Sequence, residues 1–243
     1  MGVEIQGPYN GRTMISFIVP AYNEGRLLPA TLASIHKAAK GKPYEIIVVN
    51  DCSSDQTASI AEVSGARVIN VAHRQIAATR NSGARAAQGK IFIFVDADTL
   101  INESVVRKSV DAVNSGAIGG GASIKFDEPV PTYAKVLLPI CLSIFKIGKF
   151  AAGCFIFCTR EAFETAGGFN ETMYGAEEIE MSRALKRQGR FVILNEAVVT
   201  SGRKVRAHSG WKILVTFSRL LVRGPNSLRS RKGMELWYEE RAD

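Results

Sequence analysis

Four short apolar runs, Met14–Val19, Glu45–Asn50, Arg67–Val71 and Lys90–Val95, constrain the fold of this chain more than any other feature. They are rich in Ile, Val and Phe and too short for helices, and near-continuous apolarity in a strand means burial on both faces. Amphipathic stretches separate them. Gly25–Lys40 carries Leu28, Leu32, Ile35 and Ala39 at helical spacing, and Asp55–Ser64 reads as a second helix. Ile76–Gln88 is a third, with Ala77, Arg80, Ala84 and Ala87 recurring every three or four residues. Strand alternating with helix predicts an α/β fold with a mostly parallel central sheet flanked by helices. Ligands of such sheets sit outside the carboxyl ends of the strands. That rule points to Pro20–Glu24, Asn50–Asp55 and Asp96–Thr99.

The second half is less regular. Ser104–Asn114 and Glu177–Gln188 read as helices, and Ala117–Phe126, Phe155–Cys158 and Arg190–Val199 as strands. Gly119-Gly120-Gly121 reads as a turn or bulge. Thr132–Phe150 is apolar but carries Lys135, Lys146 and Lys149, and its longest uncharged run, Val136–Phe145, covers about half a membrane span. A transmembrane helix is therefore excluded and an interfacial or buried helix expected. The boundary falls near residue 200, with a catalytic domain over 1–200 and a basic amphipathic segment over 201–243. At 46% hydrophobic and 22% charged residues, disordered, collagen-like and coiled-coil classes are excluded. Four cysteines without a CxxC pair favour a reducing compartment over a zinc site. No apolar leader begins the chain, so the expected location is cytoplasmic.

The chemistry concentrates at three strand ends. Phe92–Val95 runs into Asp96-Ala97-Asp98, two carboxylates that packing does not ask for, since burying unpaired charge is costly. A divalent cation with hard oxygen ligands, Mg²⁺ or Mn²⁺, would compensate them and bridge to phosphate; the plainer reading is a capped turn. Val48-Val49-Asn50 delivers Asp51, which can accept from a ligand N–H, while Ser54 or Asp55 caps the next helix. Ile18-Val19 empties into Pro20-Ala21-Tyr22-Asn23-Glu24, with an aromatic ring able to lie against a base. Neither G-x-G-x-x-G nor G-x-x-x-x-G-K-[ST] occurs, which disfavours dehydrogenases and P-loop kinases. Together the three ends describe a pocket for a nucleoside diphosphate.

The strings Ile18–Glu24, Val48–Asp55, Ala78-Thr79-Arg80-Asn81-Ser82-Gly83 and Phe94–Asp98, in this order and spacing, resemble a family 2 glycosyltransferase over roughly the first 200 residues. The resemblance implies a GT-A fold and transfer of a sugar from a nucleotide-sugar, UDP-linked by family habit, with inversion at the anomeric carbon. It assigns Pro20, Ala21, Tyr22, Glu24 and Asp51 to the nucleoside and Arg80 to the neighbourhood of the diphosphate. Asp98 would hold the metal, with Asp96 and Ala97 towards the ribose or sugar and Asp96 as a second metal ligand. The family's acidic pair after a Gly-Gly-Phe turn corresponds to Glu177-Glu178, following Gly167-Gly168-Phe169. By alignment Glu178 is the general base, and Glu177 is the alternative because Glu stands where the family has Asp. The processive Gln-x-x-Arg-Trp pattern is absent, so one transfer per acceptor is expected. His208 is a candidate third metal ligand.

The net charge of +8 has one source. Between Ser201 and Gly233 lie nine cations and no acid, while the other 22 cations nearly balance the 23 acids of the chain. Over Trp211–Arg223, Lys212, Thr216, Arg219 and Arg223 form one polar stripe on an otherwise apolar helix, suited to an anionic membrane interface. A core-packed helix with a solvated face is the alternative. The expectation is a peripheral enzyme on the inner face of the membrane with a lipid-linked acceptor. Nucleic acid is disfavoured, because aromatics do not interleave with the cations. Two other functions compete: a haloacid dehalogenase-type phosphatase using Asp96 and Asp98, and a non-catalytic, membrane-bound nucleotide-sugar binder.

Overall fold

The structure, a computed structural model, describes residues 13–127, positions 130, 131, 133, 135, 139 and 143, residues 145–203, and 206. In chain order the elements are β1 (Ile15–Ala21), α1 (Leu28–Ala38), β2 (Tyr44–Asp51), α2 (Thr57–Val63), β3 (Arg67–Val71) and α3 (Ile76–Ala86). Next come β4 (Ile91–Val95), β5 (Thr99–Leu100), α4 (Glu103–Asn114), β6 (Ala117–Phe126), β7 (Phe155–Thr159), α5 (Arg160–Thr165), α6 (Glu177–Lys186) and β8 (Arg190–Thr200). The eight strands of the described residues join one sheet in the order β3-β2-β1-β4-β7-β6-β8-β5. Strands β1–β4 are mutually parallel, β7 runs against β4 and β6, β8 follows β6, and β5 opposes β8.

Burial explains the strand composition. Every residue of β1 and of β4 is buried, because helices cover both faces. One side of the sheet packs Phe17, Val19, Val48, Ile93 and Val95 under α1 and α4. The other packs Ile18, Val49, Phe92, Phe94 and Ile156 under α3 and α6. On that side α3 approaches closely through Gly83, where a Cβ would lie 2.8 Å from Val49 Cγ2 and closer still to Ile18.

Two local expectations need correction. The triplet Gly119-Gly120-Gly121 is neither a turn nor itself a bulge; it lies within β6, paired with Cys158, Phe157 and Ile156. Glycine is needed there because a Cβ on Gly120 would stand 2.6 Å from the Phe157 ring and one on Gly121 2.7 Å from Ala151 Cβ. The irregular register with β8 falls on either side of the triplet. Strand β5 and helix α5 have no counterpart in the sequence reading: β5 is two residues long and α5 six. Among the described residues, no helix is long and apolar enough to cross a membrane. The expected amphipathic helix over 211–223 lies outside the described residues, as does His208.

Candidate active site

Because β1, β2 and β4 are parallel neighbours, their carboxyl ends reach one rim, and the loops beyond them line a cavity of about 260 Å³. Pro20, Ala21, Tyr22, Glu24 and Asp51 line it from β1 and β2, and Asp96, Ala97 and Asp98 from β4. Arg80 of α3 and Glu177 and Glu178 of α6 complete the wall. Strand β7 is antiparallel to β4, so its beginning reaches the same rim and adds Gly153 and Cys154. Each described residue expected at the site therefore borders one cavity.

The strand-end loops use strained backbone. Asn23 and Cys52 follow β1 and β2 with φ of 50° and 60°, and Arg74 precedes α3 with φ of 49°. Such left-handed non-glycine residues cost about 1–3 kcal/mol each and concentrate at functional sites. Asp51 holds the third of these loops: Oδ1 accepts the His73 and Arg74 N–H groups at 2.8 Å each. Its Oδ2 accepts the Gln75 N–H at 3.2 Å and the Thr79 hydroxyl at 2.8 Å. That uses the acceptor capacity of a carboxylate, so Asp51 shapes the loop rather than presenting open lone pairs. The Arg74 guanidinium in turn stacks 3.7 Å from the centroid of the Tyr22 ring.

Across the cavity, Arg80 is buried and joins three walls. It donates to Glu177 Oε1 at 2.7 Å, to Asp96 Oδ1 at 2.9 Å and to the Gly153 carbonyl at 2.9 Å. The neighbouring Asn81 takes the 169 turn: its Nδ2 donates to Phe169 O at 2.8 Å and its Oδ1 accepts the Phe169 N–H at 2.9 Å. Gly167 and Gly168 make that turn at φ of 78°, and a Cβ on Gly168 would stand 2.8 Å from Asn81 Oδ1. Two consecutive residues of α3 thus set the Gly-Gly-Phe turn and the start of α6. The acidic pair then divides. Both line the cavity, but Glu177 is buried and paired with Arg80, whereas Glu178 is half-buried. Desolvation and the adjacent Glu177 charge push the Glu178 carboxyl up to about 8.

Asp98 and Glu24 face a cation from outside the strand ends. One terminal nitrogen of Arg203 lies 3.0 Å from Asp98 Oδ2 and 2.9 and 3.1 Å from the two Glu24 oxygens. A positive group already stands at these oxygens, and hard carboxylate ligands suit Mg²⁺ or Mn²⁺. Among the described residues no three His, Cys, Asp or Glu side chains form a metal cluster. Glu24, expected at the nucleoside, therefore faces the Asp98 side of the site. The sequence reading missed Arg74, Gly153, Cys154 and Arg203 as site residues. Arg203 was counted only as part of the basic run, and nothing local in the sequence tells that β7 starts beside Asp96.

Residues 16–165, more than half of the chain, match the profile described as Glycosyl transferase family 2. A dolichol-phosphate mannosyltransferase of Pyrococcus furiosus is 32% identical over 108 residues, which are 42% of this chain and 31% of that protein. The succinoglycan biosynthesis protein ExoO of Rhizobium meliloti is 30% identical over 118 residues, 47% of this chain and 32% of that protein. The chain thus spans about a third of these two relatives. Among solved structures, the mannosyltransferase PcManGT from Pyrobaculum calidifontis, in complex with GDP-Man and Mn²⁺, superposes with a TM-score of 0.66 at 18% identity. That match covers 96% of this chain and 66% of PcManGT. Staphylococcus aureus TarS in complex with UDP-GlcNAc superposes with a TM-score of 0.63 at 22% identity, covering 77% of this chain and 58% of that one. These neighbours share the expected GT-A fold. The phosphatase reading rested on one acidic strand end, and the match from β1 through α5 displaces it: the chain belongs to glycosyl transferase family 2.

Proposed function

We propose that this protein is an inverting glycosyltransferase that moves a sugar from a nucleoside diphosphate sugar, UDP-linked in the first instance, to an acceptor hydroxyl. The observation that carries the reading is the division of the acidic pair. Both glutamates line the cavity, but Arg80 pairs with Glu177, while Glu178 carries a raised proton affinity. Glu178 is the general base: its carboxylate takes the hydroxyl proton while the acceptor oxygen attacks the anomeric carbon opposite the leaving diphosphate. Asp98, with Asp96 beside it, would hold Mg²⁺ or Mn²⁺, which when bound stabilises charge on the departing diphosphate. Tyr22 and the Arg74 guanidinium offer a stacked face for the base, and the β1 and β2 ends receive the nucleoside. His208 is retained as a candidate third ligand from the basic segment. The acceptor is proposed to be lipid-linked, presented at an anionic membrane surface to which the cations of 201–233 hold the enzyme.

Glu178→Gln tests both the role and the rival reading of a non-catalytic binder. Donor binding, measured by calorimetry, is expected to stay within about twofold, while transfer falls by about 10²–10⁴-fold. A variant that transfers at the parent rate would remove Glu178 as base. A parent protein that binds donor and never transfers would leave only the binder.

A further inference from the structure

We infer that Arg203 is an internal counter-cation that latches the start of the C-terminal segment onto Glu24 and Asp98, and that a divalent cation and this guanidinium exclude each other there. This rests on the reading of Asp98 as a cation ligand.

The need for a counter-charge follows from burial. The side chains of Glu24 and Asp98 are 4% and 14% exposed, and Arg203 brings the two carboxylates to one nitrogen. Two mostly desolvated carboxylates of like charge require a compensating cation. Arg203 supplies it from a turn that is anchored independently. The Ser201 N–H donates to the Asp98 carbonyl at 3.1 Å, and the Gly202 N–H donates to Asp127 Oδ1 at 2.9 Å. Arg206 closes the turn with its own bond to the same Asp127 oxygen at 3.3 Å. The base of the turn is therefore fixed at the end of β6 while its tip carries Arg203 into the acidic rim. A metal ion taking Asp98 Oδ2 competes for an oxygen that the guanidinium occupies, and its charge repels Arg203. Arrival of the cation thus frees the tip that carries Arg203.

The test uses the full chain without nucleotide. Mn²⁺ is titrated and free ion followed by electron paramagnetic resonance. Arg203→Met is expected to bind Mn²⁺ on the order of three- to tenfold more tightly than the parent. Asp127→Ala, which loosens the turn without touching the rim, should shift affinity the same way by a smaller factor. Arg74→Met removes an equal charge from the cavity without contact to Glu24 or Asp98, and should change affinity by less than about twofold. Mn²⁺ should also speed tryptic cleavage between residues 203 and 206 in the parent and not in Asp98→Asn. Arg203→Met with parent or weaker affinity, an equal gain in Arg74→Met, or cleavage indifferent to Mn²⁺ overturns the latch and leaves the cation reading standing. Absence of Mn²⁺ binding in both parent and Arg203→Met overturns the two together.

Discussion

On the proposed function, Glu178 and Arg80 carry the chemistry at the scale of single residues. The Arg80 guanidinium, expected from the resemblance to lie near a diphosphate, has its terminal nitrogens committed to Glu177, Asp96 and the Gly153 carbonyl. Its Nε is buried without a partner among the described residues, so the side chain is positioned by its ends. Lysine has a single nitrogen and cannot span these walls; Arg80→Lys should lower transfer by at least about tenfold, read as kcat. As the proposed base, Glu178 would set the pH dependence. A base with its carboxyl raised to about 8 works only when ionised, so kcat/KM should rise with pH and level above that value. The same shift has a consequence for stability. The folded state keeps a proton that the unfolded chain loses near pH 4.5, so the contribution is full below that pH and fades as pH rises through about 8. Urea midpoints of the parent should therefore fall between pH 5 and 9 relative to those of Glu178→Gln; parallel curves would refute the raised carboxyl.

Helix α3 is the element on which the site depends most. Its N-terminus is capped by Gln75, whose Oε1 accepts the Ala78 N–H at 2.8 Å while its Nε2 holds the Glu171 and Met173 carbonyls at 2.8 Å. Its middle presents Thr79 to Asp51, Arg80 to Glu177 and Asn81 to Phe169. Its far turn lies against β1 and β2 at Gly83, where there is no room for a methyl group. Gly83→Ala should destabilise the fold by about 1–3 kcal/mol, measured by denaturant unfolding, because overpacking forces backbone shifts. At the start of α6, Ala176 has φ of 56° directly before the acidic pair. That strained residue turns the chain so that Glu177 meets Arg80 and Glu178 borders the cavity.

The described residues build one sheet whose working edge receives strand ends from distant parts of the chain. If the basic segment is the membrane anchor, removal of residues 207–243, which keeps Arg203 and its turn, should weaken binding to anionic vesicles, and added salt should weaken parent binding likewise. Unchanged sedimentation with vesicles would remove the interfacial role. Most of the sheet was legible in the sequence because buried parallel strands and amphipathic helices leave local periodic signals: β3 and β6 occur over the expected residues. The acids at the ends of β2 and β4 were legible for the same reason, since a carboxylate directly after a buried run is conspicuous. Strand β5 and helix α5 were not, being too short to show a period. The tertiary structure alone decided that β7 enters antiparallel beside β4 and brings Gly153 to the rim, that Arg80 divides Glu177 from Glu178, and that Arg203 faces Asp98. Those pairings join residues from 73 to 105 positions apart. Local sequence sets which residues are buried and which carry charge, but which charge meets which is settled only when the sheet closes and each buried ion must find a partner.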